Sequence, residues 1–158
     1  MSDAAAAQAM LSAFASVGVK AFDITLIDLN EEKTGFNSNR SVDSLSRTIG
    51  RMLQDADERH HNLIVRPRAN GTTLIQLDDL STEKAGNIAP HAFIVFQTSP
   101  GNCQAWVALT DAPADVEQAK DFARRLRKGA GPTKARQAQH ASPAASISSR
   151  NTRPTIRR

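Results

Sequence analysis

The pair Asp78-Asp79 closes the apolar run Leu74-Ile75-Gln76-Leu77. Carboxylates at the end of a strand are hard oxygen ligands suited to Mg2+ or Mn2+, and such a cation can hold a nucleotide's phosphates. The pair also reads as a solvated turn, with Asp79 or Ser81 capping the helix that follows. Adjacent strand residues point to opposite faces, so both acids reach one cation only where the strand ends or twists. Further on, Ser99-Pro100-Gly101-Asn102 joins two apolar runs and offers a hydroxyl, a tight turn and backbone N–H groups. It is either a loop that receives phosphate or sugar, or an ordinary hairpin connection. Gln104 and Trp106 share one face of the next run, and Cys103 and Ala105 the other. An indole in that position belongs in a core more often than on a base-stacking platform.

The cations divide the same way. Arg66 and Arg68 flank Pro67, whose missing N–H places it at a strand end or edge. They read equally as phosphate ligands and as surface charges. Arg124, Arg125, Arg127 and Lys128 lie on an amphipathic stretch. They form a solvated helix face, unless they flank a nucleotide site and add salt-sensitive affinity for nucleic acid. His60 and His61 are neighbours, diverge, and make a poor metal pair.

These residues need elements to position them. Residues 3–17 recur in Met10, Leu11, Phe14 and Val17 at helical spacing, and Gly18 ends that helix. Phe22, Ile24 and Leu26 alternate as a strand, with a short edge segment around Phe36 after the turn. Ser41 begins a second helix with Val42, Leu45, Ile49, Met52 and Leu53 inward. HNLIVRPR and TTLIQLDDL are strands separated by Asn70-Gly71, a strong hairpin signal. A short helix covers about 81–88, and two further strands flank the SPGN turn. Residues 115–128 form the last helix, with Val116, Ala119, Phe122, Ala123 and Leu126 inward. The order predicts an α+β domain: one mixed β-sheet with helices packed on it.

Composition bounds the rest. The chain has 158 residues, 40% of them hydrophobic, a single cysteine and no tyrosine. One cysteine excludes an internal disulfide framework and a Cys-based zinc site. No apolar run approaches the ~20 residues of a membrane span, and the N-terminus lacks a basic signal region. A cytoplasmic protein without membrane partners is the expectation. The net charge of +4 is unevenly placed: residues 132–158 hold six Lys+Arg and no acid, so residues 1–131 are slightly acidic. That tail lacks apolar periodicity and reads as a disordered basic extension of a domain over 1–131.

Taken together, NLIVRPR, LIQLDDL, AFIVFQTSPGNCQAWVALTD and DFARRLRKGAG resemble the plasmid RepB-like DNA primases of the archaeo-eukaryotic primase superfamily. These are often found beside or fused to mobilisation relaxases. The similarity runs from about Phe22 to Gly131, and departs at Cys103, where the family has an aromatic residue. The resemblance implies a primase/RRM-like catalytic domain that polymerises short primers on single-stranded DNA from nucleoside triphosphates. It implies that Asp78 and Asp79 are the paired catalytic, metal-binding aspartates, with Mg2+ or Mn2+ as cofactor. Ser99, Gly101, Asn102 and Gln104 match the motif placed beside the nucleotide. With a single strand as template, Arg66, Arg68, Arg124, Arg125, Arg127 and Lys128 become its candidate contacts. A relaxase or helicase of the same plasmid is the implied protein partner.

After the last helix the family continues with a segment of the type ADxxASxxxRxAGxxNxKxKY, which supplies a third catalytic aspartate and an arginine. Here PTKARQAQHASPAASISSRNT stands in its place. Permitted codons for that stretch, read one nucleotide earlier, give ADKSASGATRVAGSINFKPKY. The expectation is a frameshifted or truncated C-terminus and an impaired primase. The alternatives are a catalytically inactive, single-stranded DNA-binding remnant of a plasmid replication or mobilisation protein, and a generic metal-dependent phosphohydrolase. Sequencing of the gene decides the frameshift.

Overall fold

The computed structural model describes residues 3–68, 71–109, 116–129 and 145–147. They fall into two compact units, each with its own sheet.

In the first unit, α1 (Asp3–Ser16) buries Ala7, Met10, Leu11 and Phe14 along one face. Gly18 ends it at φ 93°, and the Gly18 and Val19 N–H groups return to Ala15 O and Phe14 O at 3.0 and 3.1 Å. β1 (Ala21–Ile27) and β2 (Lys33–Ser41) form an antiparallel pair. Asp28 organises the turn between them, its Oδ1 accepting from the N–H groups of Asn30 (2.8 Å) and Glu32 (2.9 Å). Ser41 caps α2 (Val42–Glu58), its Oγ accepting from Ser44 N–H at 3.2 Å. Leu45, Ile49, Leu53 and Ala56 are the buried stripe of α2. β3 (Asn62–Arg68) pairs along its whole length with β1, and β7 (Ala145–Ile147) takes the other edge of β3. Phe22 and Ile24 of β1 and Leu63 and Val65 of β3 are buried on one face of this sheet. Phe14 of α1 meets Phe22 edge to face, with ring centroids 5.8 Å apart.

In the second unit, β4 (Thr73–Ser81) leads into α3 (Thr82–Ile88) and a single 3-10 turn (Ala89–His91). β5 (Ile94–Ser99), β6 (Asn102–Leu109) and α4 (Val116–Gly129) follow. The strands order as β4-β6-β5, both pairs antiparallel. One face gathers Ile75, Leu77, Leu80, Cys103, Ala105 and Val107, with Ala85 of α3 and Leu126 of α4 packed there. β6 is central and buried on both faces, since Ala105 and Trp106 are both fully enclosed.

The fold is α+β, as expected, but it holds two antiparallel sheets rather than one mixed sheet. The reason lies at β3. Its two edges are occupied by β1 and β7, so β4 cannot hairpin onto it and pairs with β6 instead. The turn signal at Asn70-Gly71 therefore marks a connection between sheets; Gly71 has φ 89°, and Asn70 lies outside the described residues. The expected short segment at Phe36 is a nine-residue edge strand. Within 132–158, expected to be disordered, residues 145–147 form β7; the rest of that stretch lies outside the described residues. Among the described residues no helix is long and apolar enough to cross a membrane.

Phe22 is fully buried and locked against Phe14. Phe22→Ala is therefore expected to destabilise the first unit by about 3–5 kcal/mol in urea unfolding followed by circular dichroism.

Candidate functional site

β4 alternates until Leu77, with Ile75 and Leu77 buried and Gln76 half-buried between them. If the alternation continued, Asp79 would enter the core and Leu80 would face out. Instead Leu77 pairs with Ala105 and Leu80 with Cys103, so that Asp78 and Asp79 together oppose the single residue Gln104. This bulge resets the phase: Leu80 is buried with Leu77, and both carboxylates are exposed. Asp79 takes φ 53°, a left-handed conformation that Asp accepts more readily than most residues. That conformation costs about 1–2 kcal/mol, whereas burying an unpaired carboxylate costs several. The bulge wins.

A chain of hydrogen bonds runs inward from the pair. Asp78 Oδ1 accepts from Asp79 N–H at 3.1 Å and from Gln104 Nε2 at 3.2 Å. Gln104 Oε1 in turn accepts the indole N–H of Trp106 at 3.1 Å. Gln104 is only 4% exposed and Trp106 is fully buried, so the indole is core, as its position in the sequence suggested. The helix cap falls to Ser81, whose Oγ accepts from Lys84 N–H at 3.3 Å, and not to Asp79.

The SPGN turn lies at the same end of this sheet. Asn102 pairs with Ser81 of β4 on one side and Ser99 of β5 on the other. Gly101 has φ 81°, and a Cβ built on it would meet nothing within 4 Å, so backbone conformation rather than crowding requires the glycine. Asn102 Nδ2 donates to Ser99 Oγ at 3.1 Å across the turn, and Thr98 Oγ1 donates to Asn102 O at 3.4 Å. Asn102 and Gln104 are two residues apart on one face of β6, about 7 Å along the strand.

The donor set fits Mg2+ or Mn2+. Two hard carboxylates stand side by side, exposed, with no ion pair to either among the described residues. Mg2+ is ordinarily held by one or two carboxylates, with water and substrate phosphate completing its shell. Among the described residues no cluster of three or more His, Cys, Asp or Glu side chains is formed.

The candidate DNA-binding cations lie on β3 and α4. Arg66 and Arg68 belong to β3 in the first unit. Arg66 Nη1 donates to Thr25 Oγ1 at 2.8 Å, and Arg68 Nη1 lies 3.5 Å from Asp23 Oδ1. On α4, Arg124 and Arg125 both bind Asp121, the latter at 2.9 Å. The Arg124 hydrogen bond holds the Asp121 carboxyl below its ordinary range, and the Glu117 hydrogen bond pushes Lys120 up. Lys128 is exposed, and the side chain of Arg127 lies outside the described residues. Leu126 seats α4 on the Cys103–Ala105 face of its sheet, opposite Gln104. Within the second unit the structure thus brings together Asp78, Asp79, Gln104 and the turn at 99–102. The link from Trp106 to Asp78 leaves no signal in the sequence beyond the strand pattern that puts Gln104 and Trp106 on one face.

No protein-family profile and no curated protein matches the sequence. Two solved structures share its fold. The catalytic domain of primase RepB' in complex with initiator DNA superposes with a TM-score of 0.59 at 26% identity, over 75% of this chain. This chain has the fold of a RepB-like primase catalytic domain. A structure of primase RepB' gives a TM-score of 0.61 at 23% identity over 91% of this chain. The chain covers 66% of the first of those chains and 48% of the second.

The bulge makes a direct prediction. Asp79→Ala forces a Cβ-bearing side chain without local hydrogen bonding into the left-handed region, whereas Asp79→Gly does not. Asp79→Ala is expected to be about 1 kcal/mol less stable than Asp79→Gly in thermal unfolding.

Proposed function

We propose that this chain is a metal-dependent DNA primase domain that starts short primers on single-stranded DNA during plasmid replication. One observation carries the reading: on a fold similar to that of the RepB' catalytic domain, this chain presents an adjacent, exposed carboxylate pair on a β-bulge. Asp78 and Asp79 are the residues to hold Mg2+ or Mn2+. When bound, the cation polarises the nucleotide's phosphates and favours deprotonation of the attacking hydroxyl. Asp78, pinned through one oxygen, keeps a fixed direction for the other. The Ser99–Asn102 turn, at the same end of the sheet, receives the nucleotide through the Ser99 hydroxyl and the Asn102 amide.

The arginines are phosphate contacts in this reading. The ion pairs of Arg124 and Arg125 with Asp121 are exposed, and that of Arg68 with Asp23 is partly so. Pairs open to solvent are weak, so a DNA phosphate can displace the carboxylate. The template is single-stranded DNA in the cytoplasm, and a relaxase or helicase of the same plasmid is the partner. Residues 132–152 lack the family's third aspartate, and a misplacement of about 1 Å costs on the order of 100-fold in rate. Low turnover is therefore expected. The second reading, an inactive single-stranded DNA-binding remnant, draws on the same shortage of carboxylates among the described residues.

Nucleotide incorporation on single-stranded circular DNA separates the two. The primase reading expects incorporation that requires Mg2+ or Mn2+ and falls at least about 100-fold in Asp78→Asn and Asp79→Asn. Equal rates in all three proteins would overturn the metal assignment, and strand binding without incorporation by the parent chain would favour the remnant.

DNA binding has its own test. Asp121→Asn releases Arg124 and Arg125 and is expected to tighten binding to a labelled single strand. The slope of log affinity against log salt should steepen by about 0.7 for each phosphate newly contacted.

A further inference from the structure

We propose that Trp106, with no direct part in the site, is a positioning residue for Asp78, acting through the amide of Gln104; this rests on the reading of Asp78 and Asp79 as a cation site. An indole N–H only donates and a carboxylate only accepts. Gln104 lies between the two, 3.1 Å from one and 3.2 Å from the other. Only one amide orientation satisfies both neighbours: oxygen toward Trp106, NH2 toward Asp78. The flipped amide would set donor against donor at the indole and acceptor against acceptor at the carboxylate. Trp106 therefore decides which way Gln104 faces.

The consequence is felt at Asp78 Oδ1, which receives Gln104 Nε2 together with the Asp79 N–H. Two donors on one oxygen fix the carboxylate's rotamer and leave its other oxygen for solvent or a cation. The amide does this without a charge, whereas a lysine or arginine in the same place would repel the metal. Burial strengthens the arrangement. Gln104 is nearly enclosed and Trp106 wholly so, which excludes the water that would otherwise let the amide rotate. The bulge supplies the geometry, because Gln104 is the single residue that opposes Asp78 and Asp79.

Trp106 is the sole tryptophan of the chain, so a tryptophan auxotroph can replace it alone with 3-benzothienylalanine, which keeps the shape and lacks the N–H. Mn2+ affinity is measured by electron paramagnetic resonance on the full chain for four proteins. These are the parent, the benzothienyl protein, Gln104→Met, and Gln104→Met carrying the benzothienyl residue. The proposal expects the parent to bind Mn2+ and the benzothienyl protein to bind about 10-fold more weakly, the lower range for loss of a group orienting a metal ligand. It also expects the benzothienyl residue to change nothing further once Gln104 is Met, a non-additivity that loss of packing alone would not produce. Trp106→Phe, with folding checked by circular dichroism, repeats the comparison with a natural residue. If the parent binds and the benzothienyl protein binds equally well, the positioning role is wrong and the cation site stands. Additive losses in the double replacement would also overturn the role, because Trp106 would then act by packing. If the parent binds no Mn2+, the cation site itself fails and the positioning role falls with it.

Discussion

Between Leu77 and Leu80 the chain must keep two leucines in one core while carrying two adjacent carboxylates past it. A regular strand cannot do this, because its side chains alternate. The inserted residue opposite Gln104 solves the conflict by letting β4 advance three residues while β6 advances two. The strain falls on Asp79, the residue type that tolerates a left-handed backbone and can also use the exposure that results. Core packing and site geometry are therefore one constraint: Leu80 is buried because Asp78 and Asp79 are not.

The support behind that pair is the central strand of the second unit. β6 is the central strand of its sheet and is enclosed on both faces, so Gln104 and Trp106 sit on a backbone paired on both sides. A carboxylate on an edge strand would ordinarily sample several rotamers. Here Asp78 is held by a neighbour anchored two residues from the hairpin turn at 99–102. The turn is closed by its own Ser99–Asn102 hydrogen bond, so the groups assigned to cation and nucleotide share one frame of reference. The arginines follow a different logic. Arg68, Arg124 and Arg125 are tethered to nearby acids by pairs at the surface, which suits side chains whose partner is a mobile phosphate backbone.

Much of this was legible in the residues. The helices over 3–16 and 42–58 follow from apolar spacing, from Gly18 as a stop and from Ser41 as a cap, because local chemistry decides them. The SPGN hairpin follows from Pro-Gly between two apolar runs. The pairing of β3 was not legible, because its outer partner, β7, is 80 residues away in a stretch without apolar periodicity. The bulge left a faint mark: buried positions spaced Ile75, Leu77, Leu80 step by two and then by three, which an unbroken strand cannot do. The coupling of Trp106 to Asp78 left none, since one face of a strand does not reveal which side chains bond.

The central claim is that Asp78 and Asp79 form one cation site. Manganese anomalous diffraction from crystals soaked in Mn2+ tests it most directly. The account predicts a peak at coordination distance, about 2.1 Å, from one carboxylate oxygen of each aspartate. A peak elsewhere in the fold, or none at saturating Mn2+, would contradict it.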